Sequence, residues 1–323
     1  MLYDIATWGL RKLARAWQVY VEGLPSMAVN LGWLLLLAGS ALLIEYVAVG
    51  WQQSSLRKIR QFSGSVRNDL FAIFLNYSSL GNYIAITMTF SLIYFAVKHL
   101  RHWLAAEPLL DIASPLVAGL VYILIADFVM YWFHRCAHRW QAFWEVHAYH
   151  HSACEMTILS GAREHPLFFS LTSVWLIVPA LLVQRQAETG WLLAILVATR
   201  LHGLLIHSNI TAHWGWVGRW LLVSPAMHRI HHGRALAFHD KNFGSLLTLW
   251  DHLFGTFKDP RGIDVAAIEV GLDDLSGAKP PLSYLLKTYR RFALSVLWHA
   301  RRGVGRLVPA LAKRTLHTST NSP

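Results

Sequence analysis

Long apolar segments constrain the fold of this 323-residue chain more than any other feature. Hydrophobic residues make up 54% of the sequence and charged residues only 15%, which is more apolar than a soluble domain of this length. About 20 helical residues cross the hydrocarbon core of a bilayer. The segments that reach or approach this length are residues 27–49, 71–97, 115–133, 167–183 and 191–206. We therefore predict an all-α, polytopic membrane helical bundle, with the first three segments as spans and the last two as a hairpin.

The basic residues predict how these segments are oriented. Arg57, Lys58, Arg60 and Arg67 follow the first span, and cytoplasmic loops carry an excess of such residues. This places residues 134–163 on the cytoplasmic side. If the hairpin returns to the side of the membrane from which it starts, residues 208–323 are cytoplasmic too. Residues 1–26 mix basic and aromatic residues, which predicts an amphipathic helix on the membrane surface rather than a cleavable signal peptide.

Histidines form a repeated pattern. The sequence contains 18 of them, and H-x-x-H-H occurs twice, as HAYHH at 147–151 and HRIHH at 228–232. A third cluster, HRCAH, places His134 and His138 four residues apart. Residues at i, i+3 and i+4 share one helical face, so the imidazoles of each motif are expected to converge. Eight imidazoles suit borderline metals such as iron and are too many for one four-coordinate zinc, so we predict two metal ions.

The position of the first cluster predicts where these metals lie. His134 follows the apolar segment 115–133 directly, which places the site at the cytoplasmic boundary of the membrane. A lipid chain and dioxygen could reach it from the bilayer, and electrons from the cytosol. A metal-bound imidazole normally donates its second N–H to a carboxylate or carbonyl. Asp127, Asp240 and Asp251 are the carboxylates we expect in that role.

The order of these motifs resembles the fatty acid hydroxylase superfamily, also called the sterol desaturase family. The sequence DFVMYWFHR precedes the first cluster, NFGSLLTLWDHLFGTF follows the last, and GAREHP and HSN lie between them. The resemblance runs from about residue 115 to residue 257. It implies an integral membrane non-haem enzyme with two Fe²⁺ ions that uses O2 and external electrons to hydroxylate or desaturate a lipid.

The resemblance also adds site residues. It implies His207 and His213 as further ligands, Asn209 as a residue acting through a water, and His165 as a supporting residue. The predicted metal ligands are therefore His134, His138, His147, His150, His151, His207, His213, His228, His231 and His232. The expected domains are an amphipathic segment (1–26), N-terminal transmembrane helices (27–114), a fatty acid hydroxylase-like catalytic domain (115–260) with a cytosolic helical cap, and a basic C-terminal tail (261–323).

Electrons must come from a partner. The chain has no cytochrome b5 signature, no C-x-x-C and no G-x-G-x-x-G, so we expect NAD(P)H to supply them through a ferredoxin, cytochrome, flavoprotein or other reductase. The net charge of +11 favours an acidic donor and anionic lipid headgroups equally. Residues 285–306 read as a basic interfacial helix rather than a nucleic-acid site.

Three functions remain open on these residues. A lipid hydroxylase in a bacterial inner membrane is the main prediction. A lipid desaturase would share every ligand and differ only in where the substrate carbon sits. A metal transporter is the third, but its histidines should line successive spans through the bilayer rather than gather at one boundary. The substrate could be a sterol, an acyl chain, an ornithine-type or sphingoid lipid, or a carotenoid.

Overall fold

A computed structural model describes residues 2–78, 80–81, 99, 110, 112–175, 179, 183, 189–272 and 280–318. Within this part of the chain the secondary structure is helical, with isolated β-bridges such as Leu222–Leu247 and no strand. The all-α prediction is confirmed. The helices are α1 (Leu2–Gln53), α2 (Ser55–Gln61), α3 (Gly64–Tyr77), α4 (Pro115–Arg139), α5 (Gln141–His151), α6 (Pro166–Trp175), α7 (Thr189–Leu205), α8 (Gly215–Trp220), α9 (Pro225–His231), α10 (Leu249–Leu253) and α11 (Pro281–Thr318).

Two of the described helical segments are long and apolar enough to cross a bilayer. They are Ala28–Gln53 in α1 and Pro115–Arg139, which is α4. Together with the composition, they give the chain the character of a membrane protein. They correspond to the predicted spans 27–49 and 115–133. Helix α1 continues through the expected boundary at residue 26, and Gly50, with φ of +70°, kinks it before α2.

Helix α4 has two faces with different surroundings. Leu120, Leu124 and Phe128 follow one another at intervals of four residues and are exposed, as a lipid-facing stripe should be. Asp127 and His134, nearer the C-terminal end of the helix, are buried. The same helix therefore exposes a stripe of apolar side chains and also carries buried site residues.

The predicted span 71–97 has the wrong beginning. Residues 71–77 belong to α3, which starts at Gly64 with Ser63 as its N-cap, and this helix buries polar residues such as Asn68 and Asp69 against the protein. Residues 82–97 lie outside the described residues. The first part of the predicted segment 167–183 is α6, which buries Leu167 and Phe168 against the core, and the turn of the predicted hairpin lies outside the described residues.

The largest hydrophobic core surrounds α5. Phe133, Val146 and Tyr149 pack there with residues of α6 and α11. Tyr284 and Leu285 of α11 are each 2% exposed. The first turns of α11, which lie within the expected tail 261–323, are therefore part of this core. Farther along α11, Leu297 and Trp298 are exposed beside Arg301 and Arg302, in keeping with an interfacial helix.

Candidate metal centre

Nine histidines converge in two adjacent groups. Within each group, one ring nitrogen of every member lies within 4.8 Å of the others. The first group is His134, His138, His147, His151 and His231, and the second is His150, His207, His228 and His232. The groups are in contact, since the rings of His151 and His232 stack at a centroid distance of 4.4 Å.

Each H-x-x-H-H motif contributes to both groups. In α5, His147 and His151 belong to the first group and His150 to the second. The second motif, in and just after α9, gives one histidine to the first group, His231, and two to the second, His228 and His232. The imidazoles of each motif were expected to converge, and the structure divides each motif between the two groups. The two short helices bridge the two groups and hold them side by side.

Backbone carbonyls orient the rings. The Nδ1 atoms of His134, His207 and His231 lie 3.0, 2.7 and 2.8 Å from the carbonyl oxygens of Phe243, Gly203 and Lys241. His150 Nδ1 lies 3.2 Å from the carbonyl of Arg163. A carbonyl only accepts hydrogen bonds, so each Nδ1 carries the proton and each Nε2 keeps its lone pair. The lone pairs face the interior of the groups, as metal ligands require.

The interior nitrogens fit bound cations. In the first group, the buried Nε2 atoms of His134, His147, His151 and His231 have no hydrogen-bond partner. In the second, His150 Nε2 and His207 Nε2 are 3.3 Å apart, although both carry lone pairs and cannot bond each other. Unpaired buried polar atoms and opposed lone pairs are both unfavourable, and a metal ion between them removes the penalty. The donor set therefore fits metal in both groups.

Burial keeps the imidazoles neutral. It lowers the pKa of His207 to about 4 and the pKa values of His147, His150, His228 and His231 well below their ordinary value, with the neighbouring histidines acting in the same direction. A neutral imidazole is the form that binds metal. The rings are consequently ready to coordinate at neutral pH without first losing a proton.

Comparison with known proteins agrees with this geometry. The fatty acid hydroxylase family model matches residues 119–256, a range that includes every histidine of both groups. Residues 119–256 are a fatty acid hydroxylase domain.

The fatty acid hydroxylase domain is also what the chain shares with its curated relatives. The chain is 33% identical over 162 residues to ornithine lipid hydroxylase OlsE of Rhizobium tropici, covering 50% of this chain and 46% of that protein. It is 32% identical over 132 residues to alkylglycerol monooxygenase of Homo sapiens, covering 41% and 28%. A very-long-chain aldehyde decarbonylase of Oryza sativa is 29% identical over 149 residues, covering 44% and 53%. The chain thus spans about half the length of these relatives or less, and no solved structure matches it.

Two of the three predicted orienting carboxylates act on one loop of the fatty acid hydroxylase domain, not on a histidine. Asp127 accepts hydrogen bonds from the N–H groups of Leu246 and Leu247 at 2.9 and 3.0 Å. Asp251 accepts from the N–H groups of Phe243 and Gly244, both at 2.8 Å. Since the Phe243 carbonyl holds His134, these carboxylates position the ring indirectly, through the backbone.

The third carboxylate, Asp240, is exposed and has φ of +56°. The group that holds His231 is instead the carbonyl of the next residue, Lys241. Any residue supplies a carbonyl, so a sequence pattern cannot identify this partner.

Three residues that the resemblance implied lie outside both histidine groups. His213 is exposed, and its Nδ1 accepts from the Gly215 N–H at 3.0 Å, so it is in neither group. His165 is fully buried beside Tyr149 and Tyr289, with its Nδ1 accepting from the Leu167 N–H at 3.2 Å. Asn209 bonds to Lys58 and to Glu45 rather than to a histidine.

A buried ion pair that the sequence analysis missed supports His150. Arg163 and Asp69 are both 0% exposed, and the guanidinium Nε lies 2.5 Å from Asp69 Oδ1. Arg163 also donates to Ser65 and to Ser152, while its carbonyl accepts from His150. The pair therefore joins α3 to the segment that orients His150. The motif GAREHP drew attention to its histidine, whereas nothing in the pattern distinguished its arginine.

Glu45 is a second residue that the sequence analysis missed. It lies in the second half of the first apolar span and is 0% exposed. Its carboxylate accepts from the N–H of Ser55 at 2.7 Å and from the N–H of Asn209 at 2.6 Å, which ties the end of α1 to the segment that follows His207. A carboxylate inside an apolar span is a signal of function or structure, and it could have identified this residue.

Replacing Glu45 by glutamine should loosen the second histidine group. A glutamine amide nitrogen facing these N–H donors leaves a buried donor unsatisfied, which costs about 1–3 kcal/mol. We expect a lower thermal unfolding midpoint and weaker metal retention. The matched control is Glu269→Gln, because the Glu269 side chain is 81% exposed and its loss should change neither quantity. Equal midpoints for Glu45→Gln and wild type would contradict the assigned role.

Replacing Gly161 by alanine should also disturb His207. An added Cβ would lie 3.0 Å from His207 Nδ1 and 3.2 Å from the Gly203 carbonyl that holds it, closer than ordinary van der Waals contact. We expect reduced metal content and activity in this variant. Gly203→Ala is the matched control, because a Cβ at Gly203 meets nothing within 4 Å. The prediction fails if both variants retain wild-type metal content.

Proposed function

We propose that the chain is a membrane-bound di-iron enzyme that hydroxylates an unactivated C–H bond of a lipid with O2. The observation that carries the proposal is the pair of buried histidine groups with inward-facing lone pairs inside a fatty acid hydroxylase domain. Five nitrogen donors in the first group exceed the four that zinc usually takes, and imidazole suits iron. The proposed iron ligands are the nine histidines of the two groups, without His213.

The proposed reaction consumes one lipid C–H bond, one O2, two electrons and two protons, and it yields an alcohol and water. When bound, the two irons would activate O2 for this insertion. The chain's own residues hold the imidazoles in fixed orientations through the carbonyls of Phe243, Lys241 and Arg163. Burial of the groups excludes water from the reacting atoms.

The proposed membrane setting explains how substrate and electrons would arrive. Helix α4 carries His134 and His138 in the last turns of a span-length helix, so the site would lie at the membrane boundary. We propose a multi-pass protein of a bacterial inner membrane with this site facing the cytoplasm. NAD(P)H would supply electrons through a ferredoxin or flavoprotein attracted by the net charge of +11.

The relatives support lipid hydroxylation over the alternatives. Ornithine lipid hydroxylase and alkylglycerol monooxygenase are both named for oxygenation of a lipid. In the part of the chain that the structure describes, the clustered histidines belong to one compact centre rather than to a path through successive spans. This arrangement does not favour metal transport. A desaturase would use the same centre, and its product distinguishes it.

The test is to express the chain in a bacterial host under ¹⁸O2 and to compare lipid extracts by mass spectrometry. A hydroxylase gives a lipid heavier by one oxygen atom that carries the label, and a desaturase gives one lighter by two hydrogens without it. The matched control strain expresses His231→Ala, which lacks a proposed ligand and should give neither product. A labelled lipid at equal yield in both strains would contradict the proposal.

A further inference from the structure

A cavity of about 430 Å³ adjoins the second histidine group without containing any of its ligands. Lys58 is in its lining, and Lys58 Nζ donates to Asn209 Oδ1 at 2.6 Å, two residues beyond His207. Arg229 is also in the lining and follows His228 directly in α9. The cavity therefore borders the histidine groups through α9 and through the hydrogen bond between Lys58 and Asn209.

Two cations of this cavity lack an acidic partner. Lys58 bonds to uncharged oxygens, those of the Asn209 side chain and of the Met156 carbonyl at 3.3 Å. Arg229 donates from Nη2 to the Ile268 carbonyl at 3.3 Å, and its buried Nε has no hydrogen-bond partner. Among the described residues, no carboxylate forms an ion pair with either side chain. Burial, and then the charge of nearby Arg229, lower the pKa of Lys58, and the weaker attraction of Glu155 and Glu45 opposes them.

Neither acidic residue of the lining forms an ion pair with Lys58 or Arg229, although Glu155 is near enough to attract Lys58. Glu155 Oε2 accepts from the Ser63 hydroxyl at 3.1 Å. The Glu269 side chain is 81% exposed and lies 3.6 Å from Arg234, a cation on the same rim. Lys58 and Arg229 are therefore two like charges that repel each other and line one half-open cavity.

We propose that this cavity binds a phosphate group between Lys58 and Arg229. An anion there would bond the unpartnered guanidinium N–H and the ammonium together, and it would replace repulsion by two charge-assisted hydrogen bonds. The volume admits such a group with part of its substituent. The phosphate could belong to a lipid headgroup or be free in solution, and the proposal does not depend on the iron chemistry.

Cys154 provides the readout, because it lines the cavity and is an exposed residue. The whole chain, with Cys136→Ser to leave one thiol, is purified in an uncharged detergent without other multivalent anions. Alkylation of Cys154 by iodoacetamide is timed by mass spectrometry with inorganic phosphate or with dihexanoylphosphatidate, at ionic strength matched by chloride. A site with a Kd of about 1 mM slows the reaction about tenfold at a probe concentration of about 10 mM.

The variants decide whether the protection arises at the proposed site. Slower alkylation with both probes indicates a site for free oxyanions. Slower alkylation with the lipid alone indicates a headgroup site. Dihexanoylglycerol, which lacks the phosphate, should leave the alkylation rate unchanged. Arg229→Gln and Lys58→Gln should each abolish the protection. Arg261→Gln removes the same charge from an exposed pair with Asp259, away from the lining, and should keep it. Unchanged alkylation of the parent protein with both probes, or protection retained in both lining variants, would overturn the proposal.

Discussion

Replacing His231 or His228 by alanine should remove one metal ion per chain in each case, from different groups. The two residues lie three positions apart in α9, yet His231 belongs to the first group and His228 to the second. Loss of one imidazole leaves the coordination shell of that metal incomplete. Even mutation of a residue that only orients a ligand lowers metal affinity or activity about 10–100-fold. We expect the loss of hydroxylation to be at least that large. Metal content is measured by mass spectrometry on protein purified anaerobically with iron.

His213→Ala is the matched control for both variants. It also removes an imidazole, but His213 is exposed and lies in neither group. Its metal content and activity should equal those of wild type. Full metal content in the His231 or His228 variant would contradict the ligand assignment, and metal loss in the His213 variant would restore the role implied by the family resemblance.

The second large effect is expected on stability, from Asp69→Ala. This change leaves the Arg163 guanidinium, which is 0% exposed, without its carboxylate partner. Breaking a buried ion pair by removing one partner costs about 3–5 kcal/mol. We expect the thermal unfolding midpoint to fall by about 10 °C, as followed by tryptophan fluorescence. Because Arg163 orients His150, retention of the second metal should weaken as well.

Asp259→Asn is the comparison for that variant. Asp259 pairs with Arg219 and Arg261 at 3.1 and 2.7 Å, but these side chains are partly exposed. Such pairs contribute about 0–1 kcal/mol, so the midpoint should hardly move. If Asp69→Ala is no more destabilising than Asp259→Asn, the buried pair does not support the site as we describe.

Much of the metal centre could be predicted from the sequence because histidines are informative at helical spacing. Eight imidazoles were predicted from their spacing and His207 from the family resemblance, and the structure brings all nine together. The motif spacing did not indicate that each H-x-x-H-H would divide between two groups. That division depends on how α5 and α9 cross, which is a property of tertiary packing rather than of one helix.

The partners of the ligands were harder to predict. Carboxylates were expected to hold the rings, but the holders are carbonyls of Phe243, Lys241, Gly203 and Arg163. Every residue has a backbone carbonyl, so the sequence does not show which carbonyl will hold a ring. Glu45 is different, since a buried carboxylate in an apolar span is conspicuous and indicates a structural or functional role.

The most direct test of the account is the iron content per chain of wild-type protein, purified in mild detergent under anaerobic, iron-replete conditions, with Mössbauer spectra of the bound iron. The account predicts two irons per chain, one for each histidine group. Zinc without iron, from cells rich in iron, would contradict the di-iron assignment.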